Sequence, residues 1–119
     1  MPKAIWNDTV LAESDRTILV EGNHYFPPDA VHWEHFQESD HHTVCSWKGV
    51  ASYYHIRVGE AVNPNAAWTY PEPKEAAQEI TDYVAFWRGV QIVDDAPGVS
   101  RREGGDPSLP DRQPGAQGR

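Results

Sequence analysis

Three side chains in the first half of the chain, Glu21, Cys45 and Lys48, are of the types that proton transfer and acyl transfer use. A thiol becomes a nucleophile when a nearby cation or base lowers its pKa, and Lys48, His41 and His42 are close to Cys45 in sequence. Cysteine is equally one of the most buried residue types, where it acts as a small apolar filler. Glu21 and Lys48 each interrupt an apolar or aromatic stretch, where a lone charge is costly unless paired. The expectation is an ion pair across neighbouring strands. It serves either to fix strand register or to set Glu21 as a general base beside Lys48 as a grip for an anionic group.

Aromatic residues supply the second constellation. Tyr25, Trp47, Tyr53, Trp68 and Tyr70 are the candidates to line a ligand pocket, since converging rings stack on flat or cationic molecules. The same rings also suit the core of a small β-protein. Trp68 and Tyr70 share strand parity and end in the rigid Pro71-Glu72-Pro73 corner. The six histidines show no metal-ligand spacing: His41 and His42 are adjacent and so face opposite sides of a strand, while His24, His32, His35 and His55 are scattered. No metal or other cofactor is expected.

The elements that must position these groups read as short strands between turn signals. Lys3–Trp6 and Thr9–Glu13 flank Asn7-Asp8, a pair that tolerates the positive φ of a tight hairpin. Thr17–Glu21 and His24–Phe26 are strand candidates separated by Gly22-Asn23, and Pro28–Val31 reads as one helical turn. Thr43–Val58 is the longest strand candidate, with Gly49 as the site of a bulge or bend. Asn63-Pro64-Asn65 reads as a turn before the strand Ala66–Tyr70. Lys74–Asp82 carries Ala76, Ala77 and Ile80 at helical spacing and is the one short helix expected. Tyr83–Trp87 and Val90–Val93 read as a hairpin about Arg88-Gly89. The fold class is mainly β (a β-rich α+β domain): a compact antiparallel curled sheet, or a tent- or barrel-like domain, around an aromatic core.

All thirteen aromatic residues lie between Trp6 and Trp87. Residues 94–119 have none, with four prolines and five glycines. The expected organisation is one β-rich domain over 1–93 and a flexible Pro/Gly-rich tail over 94–119. Net charge is −8, of which −7 falls before residue 94 (13 acids against 6 bases). Such a domain repels phosphate backbones and anionic lipid, so neither nucleic acid nor membrane is an expected partner. A single cysteine permits no internal disulfide, and the first residues lack the plan of a signal peptide; the expected location is cytoplasmic.

Four blocks carry a family resemblance. They are Val20-Glu21-Gly22-Asn23-His24-Tyr25-Phe26-Pro27; Ser39 with Thr43-Val44-Cys45-Ser46-Trp47-Lys48-Gly49 and Ala51-Ser52-Tyr53-Tyr54; Ala66-Ala67-Trp68-Thr69-Tyr70-Pro71-Glu72-Pro73; and Val84-Ala85-Phe86. In this order, over about residues 3–93, the chain resembles the DUF427 family. The resemblance implies a compact, tent-like β-rich domain, usually bacterial, with no assigned function. The family is sometimes labelled nucleotidyltransferase-like, yet this chain has no paired-aspartate pattern and no Gly-rich loop followed by lysine. Tent-like folds elsewhere often hold a zinc ion between two Cys-x-x-Cys pairs, which one cysteine cannot build. Ser46 stands where the family usually has proline, restoring a backbone donor beside Cys45.

The leading functional expectation is a small-ligand-binding domain, monomeric or weakly dimeric. Its aromatic pocket, anchored by Glu21 and Lys48, takes a small polar or nucleotide-like ligand. The alternatives are a small enzyme using Glu21 or Cys45 with Lys48, and a protein-interaction module.

Overall fold

The computed structural model describes residues 1–94 and the backbone of 102–103. The tail expected over 94–119 lies almost wholly outside the described residues. The strands are β1 (Lys3–Trp6), β2 (Thr9–Glu13), β3 (Ile18–Val20), β4 (Asn23–Tyr25), β5 (Phe36–Cys45), β6 (Gly49–Val58), β7 (Ala61–Thr69), β8 (Val84–Phe86), β9 (Gln91–Val93) and β10 (Arg102–Glu103). They form antiparallel sheets with the orders β10-β9-β1-β2, β3-β4 and β5-β6-β7-β8. The mainly-β expectation holds, and among the described residues the sheets stay open rather than closing into a barrel. The bridge between Phe26 and Val84 joins the β3-β4 hairpin to the edge of the central sheet. The short helix expected at 74–82 is Glu75–Ile80, wound as 3₁₀ turns with a kink at Ala77. No helix among the described residues is long and apolar enough to cross a membrane.

The turns follow local chemistry. Asn7 and Asp8 both take positive φ (53° and 59°), as a two-residue hairpin loop requires. Glu21 and Gly22 do the same between β3 and β4 (54° and 84°). Glycine adopts that conformation at no steric cost, but glutamate resists it. Glu21 is thus held there by its surroundings.

Three elements depart from the sequence reading. Thr43–Val58 is not one strand: residues 46–48 turn the chain, Cys45 pairs with Gly49, and β5 and β6 form a hairpin. Gly49 starts β6 at φ 111°, against the backbone of Glu72, Pro73 and Lys74. Pro64 lies within β7, at an irregularity where three residues of β7 (64–66) oppose one of β6. Proline is tolerated there because the ladder is already broken. The turn that leads into β7 is Gly59-Glu60 instead. Finally, Arg88 and Gly89 do make a positive-φ turn, but β8 and β9 separate into different sheets, β8 on β7 and β9 on β1.

The central sheet is covered on both sides, so β6 serves two cores. Near its start Ala51 and Tyr53 point to a cluster with Tyr25, Trp68, Tyr70, Ala77, Ile80 and Ala85. Further along, Ile56 points the other way, into a cluster with Leu11, Phe26, Phe86, Val90 and Ile92. Side chains alternate faces along a strand, and directly paired residues share one. The face opposite Ala51 and Tyr53 is therefore that of Ser52 and Tyr54. Beyond the second core this face is uncovered.

Candidate functional site

Glu21 and Lys48 meet as the sequence requires of two lone charges. The Lys48 ammonium donates to Glu21 Oε1, and the two side chains are only 1% and 7% exposed. The β3-β4 turn delivers the carboxylate and the β5-β6 turn delivers the ammonium. Trp47 Nε1 donates to the other carboxylate oxygen at 3.2 Å. The ammonium lies 5.5 Å from the ring centroids of both Trp47 and Tyr70, within range of cation–π attraction. The Lys48 turn is itself fastened to the Pro71-Glu72-Pro73 corner, since the Lys74 backbone N–H donates to Lys48 O (2.9 Å) and Lys74 Nζ to Ser46 O (2.7 Å).

No hollow opens among the aromatic residues around this pair. Tyr25, Trp68 and Tyr70 are fully enclosed and Tyr53 almost so. Tyr25 and Trp68 pack edge-to-face at 6.1 Å, and the Trp68 indole donates to Tyr25 Oη at 3.2 Å. Tyr53 Oη and Thr43 Oγ1 are hydrogen-bonded at 2.9 Å. Burial pushes the Tyr25 and Tyr70 phenols well above their ordinary pKa, so both stay neutral. Cys45 is buried in the same cluster, where no substrate reaches its sulfur without the core opening. Tyr53 and Trp68, chosen from sequence as pocket walls, are core because their strand parity turns them towards Tyr25 of the β3-β4 hairpin, and Tyr70 joins the same cluster. Trp47, which is 37% exposed, is the exception and roofs the ion pair.

One group in this core has no partner among the described residues: Tyr70 Oη is buried without a hydrogen bond. A buried hydroxyl left unpaired is a net cost. Tyr70→Phe is therefore expected to leave the unfolding free energy unchanged or raise it by about 1 kcal/mol, read by urea denaturation. A clear loss of stability would show that the hydroxyl is bonded.

A cleft of about 570 Å³ lies on the other side of the central sheet, lined by Ser52, Thr69, Trp33, Tyr54, Glu38 and Asp82, with Ser39, His42, Pro28 and Pro71 beside them. Ser52 pairs with His42 on one side and Thr69 on the other, and Glu38 and Tyr54 make the adjoining pair. Tyr53 is the sequence-chosen residue that borders it. Trp33 comes from the segment between β4 and β5. Its indole donates to Pro28 O at 2.9 Å, and its ring packs on Phe36 (5.1 Å) and Tyr54 (5.5 Å). The wall is thus braced while 41% of Trp33 stays exposed. Asp82 stands on a positive-φ residue (64°) whose N–H donates to Tyr70 O at 3.1 Å. The Tyr54 phenol is pushed up by burial first and then by the carboxylates of Glu38 and Asp82. Thr69 Oγ1 is buried without a partner among the described residues.

Trp33, Glu38 and Asp82 stand in no motif, and Asp82 is far along the chain from the other two. The signal within reach was parity: Ser52 and Tyr54 alternate with Ala51 and Tyr53, so they face away from the core rings.

A family model described as a domain of unknown function, DUF427, matches residues 2–96. No curated protein matches the chain.

Proposed function

Because the chain belongs to the DUF427 family, whose description assigns no activity, we propose a function from geometry: it is a small-ligand-binding domain whose ligand lies in the cleft beside Trp33 and Tyr54. The cleft itself is the observation that carries this reading. At about 570 Å³ it falls within the range of small-molecule sites, and it joins aromatic walls to a few polar groups, as such sites do. Bracing of Trp33 by Phe36, Tyr54 and Pro28 O lowers the ordering cost of binding.

In this reading Glu21 and Lys48 do not touch the ligand. They lock the two turns that hold the ends of β3, β4, β5 and β6, and Trp47 closes over them. Tyr25, Trp68 and Tyr70 form the layer behind the sheet that keeps the cleft floor rigid. The enzyme alternative receives no support from this arrangement, because Cys45 is enclosed and Lys48 and Glu21 are buried against each other.

Thermal-shift screening of a metabolite panel against the native chain and a Ser52→Phe variant tests the proposal. Ser52 lies on the cleft floor, so the phenyl ring fills the space while suiting a strand. Ligands that raise the Tm of the native chain are expected to lose that effect in Ser52→Phe. Hits retained undiminished in the variant would remove the cleft as the site.

A further inference from the structure

Resting on that reading, we infer that the ligand class of the cleft is an organic cation with an apolar body, its ammonium or guanidinium head held between Glu38 and Asp82 against the Trp33 and Tyr54 rings.

Charge comes first. The ionised residues that line the cleft are Glu38 and Asp82, with His42 as the only other titratable nitrogen; none of the lining residues is lysine or arginine. An anionic ligand would enter an uncompensated negative field, within a domain that is already strongly acidic. Glu38 pairs with Tyr54 across β5 and β6, and Asp82 lines the same cleft as the Tyr54 and Trp33 rings. Trp33 remains partly exposed there. Carboxylates beside an aromatic face are the pairing that a cationic head recognises, through charge and through the ring quadrupole together.

The shape of the surface supplies the apolar body. Two residues along β6 from Ser52, on the same face, Val50 pairs with Val44, and these side chains are 48% and 73% exposed. The surface thus runs from the acidic aromatic end at Tyr54, over the Ser52–Thr69 floor, to an apolar strip at Val50. Four residues of strand separate the two ends, about 13 Å. A cation whose apolar chain runs from the acidic end over the floor towards this strip matches the surface.

Hexylamine, hexanol and hexanoate make a near-isosteric series that differs in charge. Each is titrated into the isotope-labelled full-length protein at neutral pH, following the Trp33 indole N–H and the β6 amides by NMR. Glu38→Gln, Asp82→Asn and Trp33→Ala are run in parallel. The acid variants alter exposed positions, and asparagine accepts the positive φ at residue 82. Hexylamine is expected to bind tightest, to shift Trp33 and the amides of Ser52 and Tyr54, and to weaken about tenfold in each acid variant, the loss of one charge-assisted contact. Preferred binding of hexanol or hexanoate, with the same residues shifted, would overturn the cation assignment and leave the cleft intact as a binding site. Shifts that avoid Trp33 and β6, or none from any of the three at millimolar concentration, would overturn both.

Discussion

Lys48→Met is expected to cost about 3–5 kcal/mol of unfolding free energy, the loss found when one partner of a buried ion pair is removed. Methionine keeps most of the apolar stem and volume of lysine, so lost packing contributes little. The cost arises at Glu21. Its carboxylate is 7% exposed and would keep the Trp47 indole as a donor but lose the Lys48 ammonium beside it. A small domain has only about 5–15 kcal/mol in total, so the variant should unfold at far lower urea. Adding Glu21→Gln should restore much of the loss, because an amide carries no charge to desolvate. A loss under about 1 kcal/mol in the single variant would mean that water reaches the carboxylate, and the pair would then be a surface one. Ligand binding separates the roles. Since Lys48 stands apart from the cleft, the double variant should bind cleft ligands as the native chain does.

Trp68→Ala is the second large effect, expected at about 3–5 kcal/mol, as for other fully buried large aromatic residues. Trp68 is enclosed on β7, between β6 and β8, with its ring edge-on to Tyr25 (6.1 Å) and to Trp87 (6.2 Å). Truncation opens a cavity that the flanking ladders prevent from collapsing, and it removes the donor to Tyr25 Oη. Trp68→Phe should recover the larger part of the loss, since it refills most of the volume. Unfolding should be followed by far-UV circular dichroism, because the substitution removes one of five tryptophans and so distorts fluorescence. A cost near that of an exposed aromatic residue would contradict its place in the cluster with Tyr25 and Tyr70. By contrast Trp33→Ala should cost less than Trp68→Ala, because 41% of Trp33 is exposed, while abolishing cleft binding.

Comparison of particular residues shows where sequence reasoning reached and where it stopped. The Asn7-Asp8 hairpin was legible because both side chains tolerate a left-handed backbone, and that tolerance is a property of the residues alone. The meeting of Glu21 and Lys48 was legible for a similar reason: a charge in an apolar strand needs a partner wherever the strand ends up. Pro64 misled, since a proline between two asparagines reads as a turn; a strand irregularity absorbs it, and irregularities depend on the neighbouring strands. Arg88-Gly89 turned as its residues dictate, but which sheet each flanking strand joined was a non-local choice.

Side-chain chemistry alone sets a mainly antiparallel β-domain, its family, the Asn7-Asp8 and Arg88-Gly89 turns and the buried ion pair, because each follows from residues close together in the chain or from a charge that must be neutralised. Tertiary structure alone decided which face of each strand was covered. Alternation along β6 gives two faces without saying which becomes core and which stays open. Packing of the β3-β4 hairpin on the side of Tyr53 enclosed the rings that looked like a pocket, and it left Ser52, Tyr54 and Thr69 as the floor of the cleft.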